Sequence, residues 1–200
     1  MMRHCAASTT ILCALGALIG GCVSTPASRF YTLNATMSRA PESSSLSVVV
    51  GPVSVPAAVD RPQIVVSTSP NQVRVDDFNR WASPLQSNIS RVVADNLGSI
   101  LGTPRVMVFP QSLSANADYQ AAVEVQSFGS ALGEAATLDA AWTVRRIKDG
   151  TLQVGRTTVS EPPSDRGYDA LAAAHSRAVA RLSQDIADAV RALDGLGQPR

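Results

Sequence analysis

The hydrophobic pattern of this chain begins with a short positive start, Met1-Met2-Arg3-His4. An apolar or small run follows from Cys5 to Ile19, interrupted only by Ser8, Thr9 and Thr10. This is the n-region and h-region pattern of a secretory signal, and the run is too short to cross a bilayer as a helix. Further along, the apolar residues fall into short segments. Arg29 to Leu33 has the aromatic and β-branched bias of a short strand, whereas Asn34 to Ser45 is rich in Ser, Ala and Pro, has no apolar period, and predicts a loop. Leu46 to Val55 predicts a strand with Val48 and Val50 on one face. Gly51-Pro52 marks a bulge or an edge within it, because proline cannot donate to a ladder. Ile64 to Val66 and Gln72 to Val75 flank the turn residues Ser67 to Asn71 and predict a hairpin.

Two segments carry a helical period. In the first, Ser83 is placed to N-cap, Pro84 to take the first helical position and Gln86 to close a capping box. Leu85, Ile89, Val92, Asn96/Leu97 and Ile100 then form one stripe, ended by Gly102 and Pro104. The second runs from about Tyr168 to Leu193, with a stripe of Leu171, His175, Val179, Leu182, Ile186, Val190 and Leu193. Arg181–Asp185 and Asp188–Arg191 lie on its outer face. Between the helices, Arg105–Phe109, Tyr119–Phe128, Leu138–Ile147 and Leu152–Val159 predict strands. The last two form a hairpin around Lys148-Asp149-Gly150-Thr151, with Asp-Gly as a turn of the primed type. The expected fold class is α+β, a sandwich with two main helices packed on one face of a largely antiparallel or mixed sheet.

What ends the apolar run changes how the chain is counted. Ile19-Gly20-Gly21-Cys22 has an aliphatic residue, two small residues and a cysteine in succession, and it resembles the bacterial lipobox, in which a peptidase cuts before a lipid-modified cysteine. The expected organisation is a signal at 1–21, a lipidated cysteine and tether at 22–28, and a single domain at 29–200. Cleavage leaves 179 of the 200 residues. Cys5 and Cys13 depart, Cys22 is the lipidation site, and the domain keeps no cysteine, which excludes disulfides, thiol catalysis and cysteine-based zinc sites. Loss of Arg3 leaves 16 basic against 16 acidic side chains, so no net field draws nucleic acid or an anionic membrane surface to the domain. Attachment to a membrane then rests on a covalent diacylglycerol and an N-linked acyl chain such as palmitate, with no other cofactor expected. Val23, rather than aspartate, follows the cysteine, which favours the outer membrane with the domain facing the periplasm.

Residues that could carry chemistry are few. His175, the one histidine left after cleavage, lies on the stripe of the last helix and reads as a core-edge residue hydrogen-bonded to a neighbour. No ligand set accompanies it, no Gly-x-Ser-x-Gly elbow is present, and neither a P-loop nor a dinucleotide fingerprint occurs. The acidic groups Asp76-Asp77 and Glu134 with Asp139 are the other residues that could suggest an enzyme, since paired carboxylates serve glycosidases. Both lie near turns, however, and solvated turn residues explain them about as well. The chain is not expected to be an enzyme.

Two other segments have more residue-specific character than a plain scaffold needs, Val55 to Val65 and Phe78 to Leu85. Within them Asp60, Arg61, Pro62 and Gln63, and Arg80, Trp81, Pro84 and Leu85, suit either a rigid structural motif or a protein interface, where arginine and tryptophan are favoured anchors. Cys22, Arg29-Phe30-Tyr31-Thr32-Leu33, Asp60-Arg61-Pro62-Gln63-Ile64-Val65, Arg80-Trp81-Ala82-Ser83-Pro84-Leu85 and Leu182-Ser183-Gln184-Asp185-Ile186-Ala187 occur in that order. This ordered set resembles the ABC-type transport auxiliary lipoproteins, the PqiC-like family. The resemblance implies a non-catalytic lipoprotein that docks an MCE-domain lipid-transport assembly at the outer membrane. It also marks the two segments as positions with a docking or structural role. An assembly factor for an outer-membrane β-barrel and a periplasmic hydrolase are the competing expectations, and homo-oligomerisation is left open.

Overall fold

A computed structural model describes residues 26–41, 44–110 and 116–195; the signal segment, the lipidation site Cys22 and the start of the tether lie outside the described residues. The elements run in the order β1 (Arg29–Tyr31), β2 (Val48–Ser54), β3 (Gln63–Ser69), β4 (Gln72–Trp81), α1 (Leu85–Leu101), β5 (Val106–Val108), β6 (Tyr119–Ala131), β7 (Ala135–Arg146), β8 (Leu152–Glu161) and α2 (Tyr168–Asp194). The fold is α+β, and its strands divide between two mixed sheets. One has the order β1-β4-β3 and the other β5-β2-β6-β7-β8. In the larger sheet β6, β7 and β8 form an antiparallel meander, and β2 runs parallel to both β5 and β6. In the smaller one β1 is parallel to β4, and β3 and β4 are the hairpin.

Alternation decides which face of the large sheet is covered. Along β7, Ala136, Leu138, Ala140, Trp142 and Val144 are buried while their neighbours are half-exposed. Burial of one parity is what a strand with one face on a core requires. Helix α2 brings Leu171, Val179, Leu182, Ile186 and Val190 to that face, with Ala174 and Ala178 small enough to let it lie close. Helix α1 packs beside α2 and against β2 and β5. A buried bond from Asn96 Nδ2 to Ser183 Oγ (3.3 Å) joins the helices. The same Asn96 accepts from the backbone N–H of Thr36 and Met37, and Ser176 Oγ accepts from that of Asn34. Leu33 is fully buried beside this stretch. The aperiodic segment after β1 is therefore a strap bonded to both helices. The polar residue in the apolar stripe of α1 is what holds it.

Several local expectations are corrected. Strand β4 does not end at Val75. It continues through Asp76 to Trp81 past an irregularity in its pairing with β3, where Asp76 Oδ1 accepts from the N–H of Phe78 and Asn79. Asp76 and Asp77 are thus strand residues, as is Asp139 in β7, while Glu134 does lie in the β6–β7 turn. Pro84, with ψ at 132°, is the half-in residue before α1, so Ser83 stands one position too early to cap and no side-chain cap forms. The β7–β8 connection has five residues, with φ positive only at Gly150 (74°), so the Asp-Gly pair does not form a two-residue turn of type I′. Asp149 accepts instead from the N–H and Oγ1 of Thr151 and pairs with Arg146, which holds the longer loop. The Arg105–Phe109 strand contracts to Val106–Val108. Gly51-Pro52 does sit at a bulge, in a strand paired on both sides.

Trp142 shows how closely the large sheet and α2 are fitted. Its ring lies over Gly155, the residue opposite it on β8, where an added Cβ would stand 2.1 Å from the indole. Its Nε1 donates to Thr157 Oγ1 (3.0 Å), and that hydroxyl donates to Asp185 of α2 (2.6 Å). Gly155→Ala must push the indole off this chain of bonds. The expected loss is about 1–3 kcal/mol, the usual range for overpacking, measured by urea unfolding with the native far-ultraviolet spectrum retained.

Candidate docking site

The two segments singled out in the sequence meet on the small sheet. Pro56 turns the chain, its carbonyl accepting from the N–H of Val59 and Asp60, and the turn delivers Gln63 to the start of β3. There Gln63 lies opposite Arg80, and the N–H of Trp81 donates to the carbonyl of Pro62 (2.7 Å). On the other side of β4, Arg80 lies opposite Phe30 and the N–H of Ala82 donates to the carbonyl of Tyr31. Three stretches distant in sequence therefore converge through main-chain bonds. Asp60, Arg61 and Pro62 are exposed, Gln63 and Arg80 are half-buried, Trp81 and Leu85 are buried, and Pro84 is exposed at the mouth of α1. Asp60, Arg61 and Arg80 form no ion pair among the described residues.

Beside them the outer face of the hairpin forms an open groove of about 410 Å³ against β6, lined by Val59, Arg61, Val65, Val73 and Val75. Val73 is 61% exposed. Side chains of this size usually pack inside, and a contiguous row of them on a surface strand marks a place where another surface fits.

Beneath the groove Trp81 points the other way, into the core. Its ring meets Phe128 of β6 and His175 of α2 edge-on, at 6.2 and 6.1 Å between centroids, and Phe128 and His175 stack at 4.0 Å. His175 Nε2 bonds to Ser130 Oγ at 2.8 Å. The expected bond to a neighbour is present, but the histidine sits in the core itself, at 0% exposure, and not at its edge. Burial disfavours the charged imidazolium and lowers the pKa to about 3. A neutral imidazole enclosed by aromatic rings packs and accepts or donates one bond; it has no open side for a substrate.

The carboxylates are absorbed by structure as well. Burial raises the pKa of Asp76, but donors from the Tyr168 hydroxyl, the Asn79 side chain and the N–H groups of Asn79 and Phe78 outweigh it and hold the group below its usual value. Burial and the bond to Asp76 push Tyr168 up to about 12. Tyr31 donates to Asn79 (2.8 Å), so β1, β4 and the start of α2 share one network. Asp139 is held low by its paired bonds to Arg156. The sequence marks the segments that hold Tyr31 and Asn79 but not the network that joins them to Tyr168, because the bonds Tyr31–Asn79 and Tyr168–Asp76 span 48 and 92 residues; the isolated tyrosine at the start of the last helix was the available signal.

The histidine links the core to pH. Its folded pKa of about 3 lies below the ordinary 6.5, so as pH falls through 6.5 the unfolded chain takes a proton that the folded one refuses. Stability from this group is complete above pH 6.5 and is lost down to about pH 3, at up to about 1.4 kcal/mol per unit. The His175→Gln variant should show a flatter loss of unfolding free energy between pH 6.5 and 4, and the His175 ring resonances of the parent should not titrate above about pH 4.

The family model for the ABC-type transport auxiliary lipoprotein component matches residues 31–187. A search of curated proteins by sequence returns no match. One crystal structure, described only as an uncharacterized protein, superposes with a TM-score of 0.68 at 24% identity and covers 82% of this chain and 99% of its own. Another, a Xanthomonas campestris protein of the family DUF330, gives 0.63 at 22%, covering 80% and 93%. At these identities the two structures establish a shared fold. The match over most of the described chain assigns the family: this protein belongs to the ABC-type transport auxiliary lipoprotein components.

Proposed function

We propose that the chain is a non-catalytic component of an MCE-type ABC transport system, lipidated at Cys22 and docking the periplasmic lipid-transport assembly at the outer membrane. The family match over residues 31–187 carries this reading. In it, residues 1–21 are removed, residues 22–28 form the anchor and tether, and residues 29–200 are the docking domain.

The groove beside Asp60, Arg61 and Pro62 supports this role. It offers exposed valines for burial and one arginine whose charge is not committed to a neighbouring acid among the described residues. An apolar centre rimmed by an arginine is the usual make-up of a protein interface. The described helices include none long and apolar enough to cross a membrane.

Two experiments test the reading. Cys22→Ala should move the protein from the membrane to the soluble periplasmic fraction. Capture of an MCE-domain protein from periplasmic extract should fall at least about tenfold for the double variant Arg61→Glu, Val73→Asp, a loss near 1.4 kcal/mol or more. Its melting temperature should stay within a few degrees of the parent. Capture of a β-barrel protein in place of the MCE protein would overturn the docking assignment.

A further inference from the structure

We propose that the outer face of β1 and β4, centred on Phe30, rests on the lipid bilayer beside the anchor, at the boundary of headgroups and acyl chains. The inference depends on lipidation of Cys22 as read above, and it concerns a contact which that reading does not specify.

Chain length supplies the first argument. Phe30 lies eight residue steps after Cys22. At no more than about 3.6 Å each they reach at most about 29 Å. A domain of this length is about 40 Å across, as its expected radius of gyration implies. Phe30 therefore cannot lie on the side of the domain remote from the membrane.

The surface itself is the second argument. Phe30 is 63% exposed, although it lies in a strand and its successor Tyr31 turns inward to bond Asn79. In register with it across the sheet are Arg80 and then Gln63, a row with one cation and no carboxylate. Phe78, two residues before Arg80 on the same strand, is also exposed. The Nε of Arg80 is buried without a hydrogen-bond partner among the described residues, its stem covered while the half-buried residue retains an outward part. An exposed aromatic beside an arginine suits the interface, where rings enter the acyl boundary and guanidinium groups meet phosphates.

The other exposed apolar side chains lack this connection. Val73 and Val75 belong to the groove already described, and Leu152 and Val154 lie on β8 of the other sheet. No short stretch of chain ties them to the anchor.

The test uses the full chain, processed and acylated, and reconstituted in vesicles of phosphatidylethanolamine and phosphatidylglycerol. With Cys22 blocked by its lipid, a single new cysteine takes a polarity-sensitive fluorophore selectively. Phe30→Cys and Val154→Cys are labelled in turn, and quenching by lipids brominated in the acyl chain is compared. The expected result is quenching at least about threefold stronger at position 30 than at 154, with a blue-shifted emission only at 30. Equal quenching at the two positions, in protein that mass spectrometry shows acylated and that floats with the vesicles, would overturn the contact while leaving the anchor intact. Protein that is neither acylated nor vesicle-bound would overturn the anchor reading, and this contact with it.

Discussion

The arrangement of this protein depends on one buried junction. Trp81 from the small sheet, Phe128 and Ser130 from the large sheet and His175 from α2 fill a single volume, so three elements of the fold meet in it. The small sheet has only three strands, one of them three residues long, and its buried side chains Ile64, Val66 and Trp81 all belong to the common core. It gains its place by lending the Trp81 indole to the larger core. The histidine is the polar member of this group, and its bond to Ser130 removes part of the cost of burying an imidazole. Aromatic packing around it then fixes the angle at which β4 leaves the core, and with it where Arg80 and the turn at Asp60 stand.

A second set of buried polar groups does for the N-terminal strap what the junction does for the sheet. Asn96 and Ser176 lie where an apolar residue would satisfy the helix stripe equally well, yet both spend their side chains on backbone groups of residues 34–37. Arg91 adds a bond to the carbonyl of Leu33 (2.6 Å). An irregular segment laid against two helices has no ladder to satisfy it, so it needs such donors and acceptors at fixed points. Polar positions inside the stripes are therefore part of how the fold is specified.

This explains which parts were legible in sequence. The strands from Tyr119 onward and both helices announce themselves because a period of two or of about 3.6 repeats for ten residues or more. The split into two sheets does not, since it turns on the three parallel pairs between β1 and β4, about fifty residues apart, which no local pattern encodes. Asp76 hid the second half of β4 because a carboxylate followed by another reads as a turn; its bonds to the backbone ahead of it instead let the strand continue past a bulge. At the candidate site the residue types of Asp60–Gln63 and Arg80–Leu85 stood out, whereas their meeting through Pro62 and Trp81 is a property of the tertiary fold. Phe128 and Tyr168 marked only the end of a strand and the start of a helix in the sequence, and their partners appear only in the fold.

The short parallel strand has a mechanical meaning. Whatever pulls on the N-terminal segment is transmitted to the domain through β1, and β1 is fastened to β4, not to its own neighbours in sequence. The Tyr31 carbonyl and hydroxyl, the buried Leu33 and the Arg91 clasp act in series behind it. Tension at one end thus arrives first at the strand bearing Arg80 and Trp81, a few residues from the groove. A domain held by its leading end and gripped by a partner at that groove would carry the load across the small sheet and the stretch of β6 that faces it, a short path between anchor and partner.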